Sequence, residues 1–203
     1  MNSKTKVGTI STTVKEGVVS SLKGIDEIEK GIVTLVKDTV SHALATADSS
    51  AHEGITVTRD VVRGAIQGFE EVGAGLMTST KHVAKGVILG ISEVGGDVIG
   101  AAKQTTRSAV KGAAEVGADI GLVARRSAEG VIEATTEIGG DVAEAARGAI
   151  NGAIEAAGSI SNTAVKGVKE MLIGVVEGVR EVTGAAIPKP HSKSTGVRSK
   201  KSS

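Results

Sequence analysis

The chain has no cysteine, tryptophan or tyrosine, and its single aromatic residue is Phe69. Without cysteine there is no disulfide and no thiolate metal site, and the redox compartment is unreadable. Without aromatics a core loses the large buried areas they usually supply, and a nucleic acid finds no rings on which to stack its bases. No run of about 18 apolar residues occurs, so no membrane-crossing helix is expected. The richest segment, Val83 to Gly100, is interrupted by Lys85, Glu93 and Asp97. The N-terminal MNSKTKVGTISTTVKEG lacks the apolar stretch of a secretory signal. The expectation is a cytoplasmic protein, at most peripheral on a membrane or on a lipid or storage-body surface.

Catalytic patterns are missing too. There is no G-x-x-x-x-G-K-[ST] loop, and Gly73-Ala74-Gly75 lacks the third glycine of a dinucleotide fingerprint. His42, His52, His82 and His191 are scattered without metal-ligand spacing. Serines and threonines have no accompanying His/Asp constellation. The chain is therefore read as a non-enzyme, with no cofactor, metal or small-molecule substrate.

What is present is Val, Ile and Ala, together with 28 glycines in 203 residues. The charge is unevenly placed. Residues 189–203 hold Lys189, Lys193, Arg198, Lys200 and Lys201 and no acid, which leaves 19 basic against 23 acidic residues before them. Pro188 and Pro190 stop any preceding helix. Residues 188–203 thus read as a disordered basic tail.

From Val61 the chain repeats every 22 residues without gaps, as in VAKGVILGISEVGGDVIGAAKQ and SAEGVIEATTEIGGDVAEAARG. Each block splits into two elevens. An eleven-residue period corresponds to about 3.67 residues per turn, which indicates α-helix, straight or gently right-handed, and not a heptad coil. On the wheel, roughly half the circumference is apolar and smooth. Its large residues include Val61, Val72, Val83, Val87, Val94, Val98, Val116, Ile138 and Ile160. This face is expected to meet lipid or a partner.

The charges are sorted by edge. Lys81, Lys103, Arg125, Arg147 and Lys169 form a basic column, with Lys85 and Arg107 one turn on. Glu71, Glu93, Glu115 and Glu137 form an acidic one, continued by Asp97, Asp119 and Asp141. Acids four residues apart on one helix repel slightly. The sorting makes sense where the basic edge of one helix meets the acidic edge of another.

Each glycine costs a helix interior roughly 0.8–1 kcal/mol relative to alanine, so these helices need their apolar face covered. Gly64 and Gly68, Gly86 and Gly90, Gly148 and Gly152, and Gly174 and Gly178 are spaced by four. Such spacing permits close approach of another helix.

Val14-Lys15-Glu16-Gly17-Val18-Val19, with its echoes VAKGVI, SAEGVI and AVKGVK, resembles the eleven-residue amphipathic repeats of synucleins. More distantly the pattern is similar to exchangeable apolipoproteins, perilipins and group 3 late-embryogenesis-abundant proteins. The resemblance implies a chain that gains helix on a lipid surface or on drying. The basic tail and the lower charge density depart from those classes.

The expected fold is all-α, without sheet: long Gly/Ala/Val-rich amphipathic helices, either extended or folded into hairpins. The expected divisions are an N-terminal helical segment 1–47, a polar hinge 48–60, the repeat array 61–187 and the tail 188–203. Unbroken, the array would span on the order of 200 Å. The function expected first is an amphipathic coat or scaffold on lipid or another hydrophobic surface. A self-assembling ring, sheet or filament and a desiccation protectant are the alternatives. Self-association is expected, and nucleic acid is not.

Overall fold

The computed structural model describes residue 24 and residues 26–45, 51–71 and 76–184. Every regular element among them is an α-helix, so the fold is all-α. The helices are α1 (26–45), α2 (Ala51–Glu71), α3 (Leu76–Glu93), α4 (Val98–Glu115), α5 (Ile120–Glu137), α6 (Val142–Ile160) and α7 (Asn162–Thr183). Among the described residues no helix is long and apolar enough to cross a membrane.

The 22-residue period turns out to be one helix plus one tight turn. α3, α4 and α5 are each 18 residues long and end in Glu-Val-Gly-Gly-Asp, Glu-Val-Gly-Ala-Asp and Glu-Ile-Gly-Gly-Asp. Gly95, Gly117 and Gly139 adopt left-handed φ of 68°, 71° and 68°, a conformation that costs an L side chain about 1–2 kcal/mol. The amide after each glycine reaches back to close the helix: Gly96 N to Ile91 O at 2.9 Å, Ala118 N to Ala113 O at 2.8 Å, Gly140 N to Thr135 O at 2.9 Å. This is a Schellman end. The aspartate then caps the next helix, accepting from Gly100 N at 2.9 Å, Leu122 N at 3.0 Å and Glu144 N at 2.9 Å. An uninterrupted repeat helix is therefore ruled out, and Asp97, Asp119 and Asp141 are N-caps, not members of an acidic edge.

The turns fold the chain into two stacks. α2, α4 and α6 pack in series, as do α3, α5 and α7, and α1 lies against α3 through Val33 and Val36. Within a stack the helices run parallel: Lys81 reaches Glu133, and one turn later Lys85 reaches Glu137. Alternate helices are thus closest neighbours, and the smooth faces point into a shared core. That core is mostly Val and Ala, including Val87, Val110, Val131, Ala102, Ala146 and Ala153 at 0% exposure.

Two further expectations change. The hinge expected over 48–60 is helical from Ala51 onward; 48–50 lie outside the described residues. Thr58 is fully buried and occupies one step of the stripe Thr58, Val62, Ile66. After α6 the turn motif is lost. Ser161 alone separates α6 from α7, capping α7 by accepting from Ala164 N at 3.0 Å. The tail 188–203 lies outside the described residues.

Candidate interaction surfaces

Close packing within each stack depends on glycine. A methyl on Gly86 would lie 2.8 Å from Val33 O, and one on Gly90 2.7 Å from Lys37 O. A methyl on Gly148 would lie 3.2 Å from Ile99 O, and one on Gly152 would collide with Lys103 O. Gly130 meets Lys81 O in the same way. Gly64 and Gly68 on α2, and Gly174 and Gly178 on α7, have no neighbour at that distance among the described residues.

Along the flank of the stacks runs a ladder of ion pairs. Two cations one turn apart on one helix share a carboxylate two helices later. Lys81 and Lys85 meet Glu133 at 2.6 and 2.8 Å. Lys103 and Arg107 meet Glu155, 22 residues further on, at 2.7 and 3.7 Å. The carboxylates ending the helices also find cations two helices back: Lys37 with Glu93 at 3.3 Å, Arg63 with Glu115 at 2.6 Å, Lys85 with Glu137 at 2.8 Å. Hydrogen bonds from Lys81 and then Lys85 hold the Glu133 carboxyl down to about 2. Glu133 and then Glu137 push the Lys85 ammonium up. Glu133 and Glu155 are missing from the expected edges, although their 22-residue spacing is visible in the sequence.

The other expected site residues are spread through the fold. Val83 and Val87 are 2% and 0% exposed; they contact the chain's own core and not an outside surface. Val61 and Val98 are half-buried in helices. Val94, Val116 and Ile138 lie in the turns, and Ile160 ends α6, so these four do not continue one helical face. Arg125 turns to Glu129 of its own helix at 2.8 Å. Arg147 is exposed on α6 and has no ion pair among the described residues, and Lys169 lies on α7. The side chains of Val72 and Glu71 lie outside the described residues, as does the basic tail.

The residues of the ladder change between α5 and α7. Glu129 stands where Lys85 stands one repeat pair earlier, and Glu177 stands where Glu133 does. Glu129 pairs with Arg125 and Arg126 of its own helix, and a single residue, Ser161, links α6 to α7. A groove of about 640 Å³ opens there, floored by Ile132, Met171, Val175, Gly174 and Gly178.

Apolar side chains are exposed at the ends of the stacks. Ile28 and Leu35 on α1 are 65% and 69% exposed, and Ile173 on α7 is 41% exposed. Among the described residues no cluster of His, Cys, Asp and Glu could hold a metal. Comparison with family models, with curated proteins and with solved structures gave no match to this chain.

Proposed function

We propose that this chain is a non-enzymatic helical-repeat scaffold that assembles with further copies of itself, end to end, by continuing its own stacks. One observation carries the reading. Gly64 and Gly68 stand at the register of Gly152 and Gly112, and those two receive the preceding helix of their stack: Gly152 takes the Lys103 carbonyl, Gly112 takes Ile66. On α2 none of the described residues covers the same face. At the opposite end α6 carries Arg147 and half-buried Ile154 at the register of Lys103 and Val110. In the other stack Leu35, on the far side of α1, and Ile173 on α7 supply the apolar contact. A second copy is the partner whose shape already fits, because the interior contact is the template. Such a head-to-tail contact need not close, and it builds filaments.

A lipid coat requires more. Val83 and Val87 would have to leave the core and exchange their present neighbours for a bilayer.

Sedimentation velocity over a range of concentrations, without lipid, tests the reading. Growth of species beyond the monomer is expected, and Gly64→Leu with Gly68→Leu should abolish it without loss of helix. A monomer at high concentration would sink the proposal. The lipid alternative has its own test: anionic vesicles should then raise the far-UV helical signal.

A further inference from the structure

Between α2 and α4 the ladder carries a cation where its unit has a carboxylate. Its unit is two cations on one helix and a carboxylate two helices later: Lys81, Lys85 and Glu133; Lys103, Arg107 and Glu155. Between α2 and α4 the corresponding residues are Arg59, Arg63 and Lys111. A lysine stands where the unit has its carboxylate. The arginines turn elsewhere: Arg59 to its neighbour Asp60 at 3.1 Å and Arg63 to Glu115 at 2.6 Å. Lys111 is exposed and has no ion pair among the described residues.

These residues converge on a pocket of about 280 Å³ lined by Arg59, Arg63, Arg107 and Lys111, together with Gln104 and Ser108. No carboxylate lines it. Gln104 Nε2 donates to Ser108 Oγ at 3.0 Å, so the serine hydroxyl is free to donate inward. Asp60, Glu115 and Glu155 meet the three arginines from outside the pocket, whereas Lys111 faces no carboxylate; an anion inside would offset the repulsion left among the four cations. Guanidinium groups present forked donors that match the oxygens of phosphate and carboxylate, phosphate carrying more charge in less space.

We propose that the α2–α4 pocket binds a phosphoryl-bearing anion, with Lys111 replacing the ladder carboxylate so that the ligand completes the unit. The anion supplies the negative charge that Glu133 and Glu155 supply elsewhere. Binding ties α2 to α4, the contact that lacks this rung.

The test is calorimetric titration of the full chain with pyrophosphate at constant ionic strength, since exposed cations are sensitive to screening. Wild type is expected to bind saturably, one anion per chain. Lys111→Glu restores the ladder charge and should weaken binding at least about tenfold, as a charge-assisted bond becomes a repulsion. Lys166→Glu, at an exposed position of α7, is the control for net charge and should bind as wild type does. Circular dichroism confirms that each variant keeps its helices, and Lys111→Gln provides a milder loss should the glutamate variant misfold. Cosedimentation with phosphatidic acid vesicles forms a second arm. Pyrophosphate binding identifies a free ligand; vesicle binding without it, lost in Lys111→Glu, identifies a headgroup. Absence of saturable binding in both arms, or binding equal in wild type and Lys111→Glu, overturns the proposal.

Discussion

Replacing Gly152 with alanine should destabilise the protein, and replacing Gly174 with alanine should stabilise it. Both glycines lie in helix interiors. An isolated helix gains roughly 0.8–1 kcal/mol from either change, so the difference between them reads packing alone. At Gly174 a methyl meets nothing within 4 Å, and the full gain is expected. At Gly152 the new carbon collides with the Lys103 carbonyl and lies 2.8 Å from Thr106 Oγ1. A main-chain carbonyl cannot rotate away, and Thr106 Oγ1 already donates to Ala149 O at 2.7 Å. α4 and α6 must separate. Overpacking of this kind costs about 1–3 kcal/mol, and with a backbone obstacle the upper part of that range applies. Set against the propensity gain, the net loss is about 1–2 kcal/mol.

For a chain of this size one kcal/mol moves the melting temperature by about 2–4 °C. Thermal unfolding followed at 222 nm should therefore show Gly174→Ala up by about 2–4 °C and Gly152→Ala down by about 2–8 °C. The signs matter more than the sizes. In an extended, solvent-facing or loosely ordered helix both substitutions raise stability together. A rise for Gly152→Ala equal to that for Gly174→Ala would refute the stacked arrangement.

Two further outcomes follow from the turns and the ladder. Gly117→Ala, which forces an L side chain to φ 71°, should lower stability by about 1–2 kcal/mol in urea unfolding, and Asp119→Ala, which removes the α5 cap, by about 0.5–2 kcal/mol. Asp119→Asn, which retains an acceptor, should stay near wild type. The Glu133 carboxyl lies below its ordinary 4.5, at about 2. Its stabilisation is complete above pH 4.5 and fades as pH falls toward about 2. The side chain is 42% exposed, so solvent screening holds the effect to about 1 kcal/mol or less. Unfolding free energies at pH 5 and pH 3 should differ less in Glu133→Gln than in wild type. Lys85 is raised above 10.5, so its contribution is complete below that pH and is lost above it.

The helix period, and with it the all-α class, was legible because Val and Ile recur with the helix turn. The breaks between helices were also written in the sequence, as Gly95-Gly96-Asp97 and Gly139-Gly140-Asp141, a C-terminal glycine followed by an N-cap. They were missed because the eleven-residue frame runs through them without a gap: the four turn residues occupy the places four helical residues would. Val94, Val116 and Ile138 kept the apolar rhythm while lying outside any helix. A frame that fits the spacing does not test the backbone, whereas a glycine ahead of an aspartate does, because each has a distinct geometric reason to stand there. The start of α2 was hidden because residues 39–60 match the repeat poorly and are polar and Ser-rich around Asp48-Ser49-Ser50, although Thr58 is buried in the helix.

The charge columns and spaced glycines raise a different difficulty. They state that a helix is met closely by another with complementary edges, and they do not state whose helix it is. In Lys81 with Glu133 and in Gly152 with Lys103 the partner is the same chain, two helices away. A periodic sequence cannot separate this from contact between copies or with a flat surface, because every unit carries the same pattern. What separates them is where the pattern ends. In the interior Gly112, Gly130 and Gly152 each meet the preceding helix of their stack, and Lys81, Lys85 and Lys103 each meet a carboxylate two helices on. Among the described residues no helix lies beyond α2 and α6, and there Gly64, Gly68 and Arg147 keep the form of an interior contact without its partner. The self-association and anion binding proposed above therefore rest on the terminal units and on Lys111, which stands where the ladder unit has its carboxylate. Those are the positions at which substitution should alter association or ligand binding while leaving the fold intact.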